Sequence, residues 1–247
     1  MKIEKYRDLT LIDINENQSL VVSCDSSGGI GEKENDIIKT TPEVVGYFTT
    51  QVALMELISF GADPITIINT LSVEMDNTGK RILDGIKDVL NPLELDNDMI
   101  VTGSTEENFP VTVTGAGITV IGIINKNEWK RPKTSSGMIA VVVGLPKVGE
   151  EVLENKDKIM NIADLIRLKN SDYIDEILPV GSKGIVYELN EMASSNNISF
   201  TLEDKINIDL NKSGGPSTCV IVSIEEDKLE ELKEDFYLPL NKIAEFV

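Results

Sequence analysis

Histidine does not occur once in the 247 residues of this sequence. Its absence excludes Ser-His-Asp and Cys-His catalysis and the common histidine-rich zinc and iron sites. Cysteine is nearly absent too, since Cys24 and Cys219 are the only two and lie far apart. This spacing indicates neither a disulfide framework nor a zinc ribbon. Both thiols are therefore expected to be reduced, as in a cytoplasmic protein.

Basic residues are also scarce. The chain has 23 Lys and Arg against 42 Asp and Glu, which gives a formal net charge of −19 at pH 7. Such a chain repels nucleic-acid backbones and anionic membranes, so neither is expected as a partner. No membrane span or signal peptide is expected, because the longest apolar region, 111–124, is interrupted by Thr and Gly. An acidic protein that binds phosphate must import positive charge, and Mg²⁺ with carboxylate ligands is the usual means.

Apolar residues make up 41% of the chain, enough for one large domain or two small ones. Local patterns predict strands at 19–24, 65–73, 99–103, 111–124, 138–143, 198–208 and 219–224. Helices are predicted after a capping box at 40–43 as far as Gly61, and at 80–90, 161–168, 184–194 and 226–233. The polar segment 126–137 separates two lobes, which predicts an N-terminal domain of residues 1–137 and a C-terminal domain of residues 138–247.

The sharpest local feature is the segment 24–33, Cys-Asp-Ser-Ser-Gly-Gly-Ile-Gly-Glu-Lys. It places a carboxylate, Asp25, at the end of a predicted strand. Three glycines follow, Gly28, Gly29 and Gly31, whose backbone lacks Cβ atoms and can approach phosphate oxygens. A cation, Lys33, comes next. The segment is not a Walker A loop, because the Gly-Lys-Ser/Thr signature is missing. By itself the string is also typical of an ordinary flexible turn.

A few other polar residues stand out by position. Glu56 lies on an otherwise apolar helix face, and a buried carboxylate there is costly unless it has a partner such as a metal ion. The alternative is that Glu56 is simply exposed. In the polar loop 104–110, Thr105 offers a hydroxyl to a nucleotide, whereas Glu106 and Glu107 alone are typical surface residues.

Taken in order, these segments resemble the superfamily of aminoimidazole ribonucleotide synthetase, thiamine-monophosphate kinase, selenophosphate synthetase and the hydrogenase maturation factor that dehydrates a carbamoyl group. Residues 28–33, preceded by Asp25, resemble its Asp-Gly-Val-Gly-Thr-Lys motif. Residues 55–64 resemble Asn-Asp-Leu-(x)₃-Gly-Ala-x-Pro, and residues 102–105 resemble Gly-Gly-(Asp/Glu)-Thr. Later segments resemble the start of the family's C-terminal domain, its Asp-Gly-Gly-Leu helix and its late glycine-rich turn: 144–153, 181–193 and 213–217. The resemblance covers nearly the whole chain.

The resemblance implies a two-lobed α/β (α+β) fold with a β-barrel-forming, ATP-binding N-terminal lobe and a C-terminal α/β lobe. It also implies a homodimer that binds ATP through Mg²⁺ and acidic loops, with the acceptor near the C-terminal lobe. By position, Asp25 and Glu56 become Mg²⁺ ligands. The implied nucleotide contacts are Gly28, Gly29, Gly31, Lys33, Gly103 and Thr105.

The chain departs from the family pattern at two positions. Ser104 stands where an acidic ligand is expected, so that ligand is either missing or supplied by Glu106 or Glu107. Lys183 stands where the second lobe usually has an acid. Lys33 and Lys183 are the candidate sources of transition-state charge, and Glu107 is the candidate to accept the hydroxyl proton.

Within the superfamily, the strings Cys-Asp-Ser-x-Gly-Gly-Ile-Gly and Leu-Pro-Val-Gly-Ser-Lys-Gly resemble α-ribazole kinase most. That branch phosphorylates the 5′-hydroxyl of α-ribazole, so the resemblance implies an ATP-dependent kinase for this small alcohol. One alternative is a thiamine-monophosphate kinase-like or ring-closing enzyme with another acceptor. The other is a nucleotide-binding dimer without catalysis, suggested by Ser104 and Lys183 in place of acids.

Overall fold

The structure is a computed structural model that describes residues 2–93 and 101–247. The chain separates into two compact units. The first unit comprises Met1–Ile58 and Ala62–Trp129, and the second comprises Ser59–Gly61 and Lys130–Val247. Each unit contains one large β-sheet. In the part of the chain that is described, no helix combines the length and apolar character needed to cross a membrane.

The first unit is built on a six-stranded sheet of order β1-β2-β3-β8-β6-β7. Only the β6–β7 pair is parallel, and the other neighbours are antiparallel. Over the described residues the sheet is open, with β1 and β7 at its edges, rather than a closed barrel. Its strands, with those of a two-stranded parallel sheet (β4 and β5), are β1 (Ile3–Tyr6), β2 (Leu9–Asp13), β3 (Gln18–Gly28), β4 (Ile30–Gly31), β5 (Ile38–Lys39), β6 (Asp63–Leu71), β7 (Val101–Thr105) and β8 (Gly115–Asn125).

Among the described residues of this unit the α-helices are α1 (Pro42–Ser59) and α2 (Lys80–Leu90). An irregular turn, Met75–Gly79, in which Asp76 and Asn77 are not helical, precedes α2, and a short 3₁₀ turn, Asn91–Leu93, follows it. Helix α1 begins at a proline, which is favourable at the first helical position because no intrahelical N–H bond is lost there. The Ser23 hydroxyl of β3 donates to the Ala53 carbonyl of α1 at 2.6 Å. One face of the sheet therefore packs against α1.

The second unit is built on a five-stranded, wholly antiparallel sheet of order β10-β12-β9-β13-β11. Its strands are β9 (Ile139–Gly144), β10 (Glu176–Pro179), β11 (Phe200–Leu202), β12 (Cys219–Ile224) and β13 (Leu240–Phe246). Its helices are α3 (Glu151–Glu154), α4 (Ile162–Lys169), α5 (Ile185–Asn196) and α6 (Leu229–Asp235), with 3₁₀ turns at Lys156–Lys158 and Glu226–Lys228. Every residue of β9 and β12 is buried.

Most predicted elements occur within one or two residues of their expected positions; α2 and β12 match their predicted limits. The strand predicted at 99–103 is β7, but residues 99 and 100 lie outside the described residues. The strand predicted at 198–208 was too long, since only Phe200–Leu202 pairs, with β13. Six strands were not predicted at all, namely β1, β2, β4, β5, β10 and β13. Strand pairing is mainly antiparallel in both units, which agrees with the mixed α/β (α+β) fold that was expected.

The structure of the glycine-rich segment differs from the prediction because two strands have other limits than expected. Strand β3 continues past Cys24 to Gly28, because β8 pairs with it along its whole length as far as Gly115. Strand β8 in turn begins at Gly115 rather than at residue 111. The backbone just before it is bonded to the glycine-rich segment instead of to a neighbouring strand.

Candidate functional site

Asp25 lies inside β3 rather than at the end of a strand as predicted. It pairs with Ile118 of β8, which in turn pairs with Asn69 of β6. Directly opposed residues in neighbouring strands point to the same face, and Ile118 and Asn69 are buried, so Asp25 belongs to the covered face of the sheet. Burial raises the pKa of Asp25 to about 6, against a smaller opposite effect of a hydrogen bond from the Ser26 backbone. A bound cation would stabilise the charged form.

The three predicted loop glycines occupy different environments. Gly28 ends β3, and a Cβ atom there would have no neighbour within 4 Å. Gly29 has φ +73°, and its N–H donates to the Thr114 carbonyl at 2.9 Å. Gly31 has φ +149°, and a Cβ atom there would lie 2.5 Å from Thr114 Oγ1 and 2.7 Å from Asp36 Oδ2. Gly29 and Gly31 are thus required by the fold, whereas Gly28 has open space beside it for a ligand.

Lys33 is held in an ion pair with Glu74, with 2.6 Å between Nζ and Oε2. Thr78 donates its hydroxyl to the other oxygen of Glu74. Burial alone would raise the pKa of Glu74, but the hydrogen bonds from Lys33 and Thr78 outweigh it and lower that pKa. The structure thus connects the cation of the glycine-rich segment to Glu74, the residue just before the irregular turn that precedes α2.

Glu107 contacts the same turn from the other side. Its Oε1 accepts the Met75 backbone N–H at 2.7 Å and the Thr105 hydroxyl at 2.8 Å. Glu106 accepts the backbone N–H groups of Asn108, at 2.6 Å, and Phe109, at 3.3 Å. Both carboxylates therefore organise their own loop. Lys33, Glu74, Glu107 and Thr105 form one chain of contacts through residues 74 and 75.

Ser104 and Gly103 lie in β7, beside β6. Ser104 is exposed and pairs with Thr70. Gly103 pairs with Asn69, and a Cβ atom at Gly103 would lie 2.2 Å from both the backbone and the side-chain oxygen of Asn69. The close approach of the two strands therefore explains this glycine without a nucleotide.

The predicted metal ligands do not form a ready-made cage. Among the described residues, no three His, Cys, Asp or Glu side chains are grouped so as to hold a metal ion. Glu56 is half-buried in α1, and Glu106 and Glu107 are engaged as described above. Mg²⁺ is ordinarily bound by only one or two carboxylates together with substrate phosphates and water. Asp25, a largely buried carboxylate, fits the role of such a single protein ligand.

Arg81, in the first turn of α2, was missed by the sequence interpretation. Its guanidinium donates to Glu43 at 2.6 and 3.0 Å and to Glu32 at 2.6 and 3.1 Å. These bonds lower the pKa of Glu43 to about 2. Arg81 therefore ties the glycine-rich segment to the starts of both helices. The partners are 38 and 49 residues away along the chain, so no local pattern indicates the pairing.

Asp36 was also missed. It is only 4% exposed, and its two oxygens accept three hydrogen bonds. The donors are the Thr114 backbone N–H at 2.7 Å, the Thr114 hydroxyl at 2.6 Å and the Lys33 backbone N–H at 2.8 Å. The sole local signal is the three-residue spacing from Lys33, which is common in turns.

Lys183 lies in the second unit, in the turn between β10 and α5. It is exposed, and its Nζ lies 4.0 Å from the centre of the Tyr187 ring. The backbone turns at Gly184, with φ +83°, to begin α5. Its catalytic role stays a prediction.

Comparison with known families gives one match in the first unit. The model described as AIR synthase related protein, N-terminal domain, matches residues 6–124. Comparison with curated protein sequences gives no match. The matched region contains the glycine-rich segment, Glu56 and Thr105.

Solved structures resemble the chain over nearly its whole length. Thiamine-monophosphate kinase from Stenotrophomonas maltophilia K279a has a TM-score of 0.66 at 18% identity, over 99% of this chain and 88% of that one. HypE from E. coli has a TM-score of 0.66 at 15% identity, over 92% and 79%. T. maritima PurL complexed with ATP has a TM-score of 0.63 at 13% identity, over 96% of this chain and 42% of that one. These likenesses show a shared fold and confirm the mixed α/β architecture that the sequence resemblance implies.

Proposed function

We propose that this protein is an ATP-dependent kinase that transfers a phosphoryl group to the 5′-hydroxyl of α-ribazole. The observation that carries the proposal is Asp25, a largely buried carboxylate with a pKa raised to about 6, three residues before the open backbone of Gly28. It lies within the region that matches an AIR synthase-related domain. One similar structure is a kinase, and another was solved with ATP. The choice of α-ribazole rests on the resemblance of segments 24–31 and 178–184.

Mg²⁺, when bound, would neutralise charge on the transferring phosphoryl group. Asp25 would hold the ion together with phosphate oxygens, and the backbone at Gly28 would admit those oxygens. Lys33 would add positive charge by exchanging its Glu74 partner for a phosphate oxygen. Glu107 would accept the hydroxyl proton at Oε2, since its Oε1 already accepts two hydrogen bonds.

A homodimer is part of the proposal. The face of the first sheet opposite α1 carries half-buried apolar side chains, namely Leu20, Val22, Ile68, Ile121 and Ile123. A second copy of the chain would cover this face, as the family resemblance implies. Light scattering coupled to size-exclusion chromatography tests this directly, and a monomer at micromolar concentration contradicts it.

An acceptor screen tests the reaction. ADP formation would be measured with Mg²⁺-ATP and α-ribazole, with thiamine monophosphate, and without an acceptor. We expect turnover with α-ribazole only, with the new phosphate on the 5′-oxygen. Turnover with thiamine monophosphate instead identifies the other kinase. Binding without turnover, seen as an ATP-dependent rise in melting temperature, supports the non-catalytic alternative.

A further inference from the structure

Asp36 and Thr114 form a buried polar contact beside the glycine-rich segment. Both residues are nearly inaccessible, with 4% and 1% exposed surface. The Thr114 hydroxyl and backbone N–H each bond a different oxygen of Asp36, at 2.6 and 2.7 Å. A buried carboxylate is costly unless its oxygens are satisfied, and here three donors satisfy them.

This pair is one part of a longer seam. The Gly29 N–H donates to the Thr114 carbonyl at 2.9 Å, and the Asn35 N–H donates to the Thr112 carbonyl at 2.8 Å. Residues 112–114 thus hold both ends of the segment 29–36. Asp36 also accepts the Lys33 backbone N–H within that segment. These hydrogen bonds make the backbone from residue 29 to residue 36, which includes Gly31 and Lys33, a closed loop.

Contact between the pair and the segment is close. A single methyl group at Gly31 would fall 2.5 Å from the Thr114 hydroxyl oxygen and 2.7 Å from Asp36. Atoms at such distances overlap, so the shape of the segment depends on the exact placement of these two side chains.

We propose that the Asp36–Thr114 pair is a positioning device for the nucleotide-binding segment, which it fixes in shape before a ligand arrives. The segment then does not have to become ordered when ATP binds. A flexible loop would lose affinity to that ordering, and a preformed loop does not. As far as ATP is concerned, this inference rests on the proposed function. Asp36 and Thr114 act through the backbone and are positioning residues, not catalytic ones.

The second unit supplies a matched control. Thr134 is 1% exposed, and its hydroxyl donates to the equally buried Glu176 at 2.6 Å. This threonine–carboxylate contact has the same length and burial as the one between Thr114 and Asp36. It belongs to the other unit and includes no residue of the glycine-rich segment.

The test compares Thr114→Val, Thr114→Ser and Thr134→Val in the full chain. Mg²⁺-ATP affinity would be measured by calorimetry, steady-state kinetics with α-ribazole, and backbone exchange of residues 29–36 by hydrogen–deuterium mass spectrometry. We expect Thr114→Val to weaken ATP binding and to raise the KM for ATP about tenfold, while kcat stays within about twofold of the wild-type value. Hydrogen exchange of residues 29–36 should become faster. Thr114→Ser, which keeps the hydroxyl, should show wild-type ATP affinity and wild-type exchange of residues 29–36. Thr134→Val lowers the melting temperature but leaves ATP affinity and segment exchange unchanged.

Wild-type affinity together with wild-type exchange in Thr114→Val overturns the inference. An equal loss of ATP affinity in Thr134→Val also overturns it, because general destabilisation would then be the cause. Asp36→Asn replaces Thr114→Val if the latter does not fold. If the wild-type protein binds no ATP, the proposed function fails, and segment exchange without ligand still decides whether the pair fixes the loop.

Discussion

The two sheets of this protein use burial differently. Strand β8 of the first unit alternates buried and half-buried residues, whereas β9 and β12 of the second are buried throughout. The first sheet also places Asp25 on its covered face with its charged form disfavoured, while the buried Ser223 of the second is bonded to Thr134 at 2.9 Å. In the second sheet β9, β10 and β12 are wholly buried, while β11 and β13 are partly exposed. The first leaves one face half-buried and holds one carboxylate whose charged form is disfavoured; under the proposed function these are the dimer face and the Mg²⁺ ligand.

The largest effect on stability is expected when a buried side chain of the second sheet is truncated, compared with a half-buried one of the first. Ile221→Ala in β12 removes a fully buried side chain and should lower the free energy of unfolding by about 2–5 kcal/mol. Ile123→Ala, on the half-buried face of β8, should cost about 1 kcal/mol or less in the monomer. Urea denaturation of both variants measures the difference. A cost at Ile123 that equals that at Ile221, and grows with protein concentration, would show that a second copy covers the face.

Asp25→Asn tests the carboxylate that sets the first sheet apart. We expect kcat/KM to fall about 100-fold, because the proposed Mg²⁺ ligand is lost, while stability at pH 7 rises. The folded pKa of about 6 lies above the unfolded value near 3.8, so ionisation of Asp25 opposes folding. Stability should therefore decline in the wild type as pH rises from about 4 to about 6, and this decline should be absent in the variant.

The measurements for Asp25→Asn are kinetics and thermal unfolding across pH 4–8. Ser223→Ala in β12 serves as the control, since it should lose stability while keeping kcat/KM. Unchanged ATP affinity in a well-folded Asp25→Asn protein would remove Asp25 from the metal site.

The next effect separates two glycines of the same segment. Gly31→Ala introduces a Cβ atom 2.5 Å from Thr114 Oγ1 and should cost about 1–3 kcal/mol of stability together with ATP affinity. Gly28→Ala has no neighbour within 4 Å, so its unfolding free energy should change by less than about 0.5 kcal/mol. Chemical denaturation gives the comparison. Equal stability of the two variants would contradict the described packing of the segment.

The smallest effect concerns the acid stability of the first unit. Arg81 holds the pKa of Glu43 at about 2, below its ordinary 4.5. A lowered folded pKa contributes stability that is complete above about pH 4.5 and is lost as pH falls toward 2. Arg81→Met should therefore be less stable than wild type at pH 7, with the difference shrinking at pH 3. A difference independent of pH would mean that the ion pair contributes little, as exposed pairs often do.

Sequence patterns located most elements but not the functional contacts. The pattern at residues 80–90 predicts α2, and the run at residues 219–224 predicts β12, because periodicity and apolar runs are local properties. The missed strands β1 and β13 are mixed in polarity, and they are strands because neighbours in the sheet pair with them. Asp25 was recognised by its position before the glycines, but its place inside a strand depends on the length of β8.

Residue identity and local spacing are enough to identify the glycine-rich segment, the sites excluded by the missing histidine and the order of motifs that implies the fold. The three-dimensional fold was needed to show that Asp36 meets Thr114 across 78 residues, that Arg81 joins Glu32 to Glu43, and that Gly31 but not Gly28 is confined. Such contacts depend on which strands become neighbours. Hydrogen-bond partners that are far apart in the chain produce no periodic pattern in the sequence, so they are identified only in the folded structure.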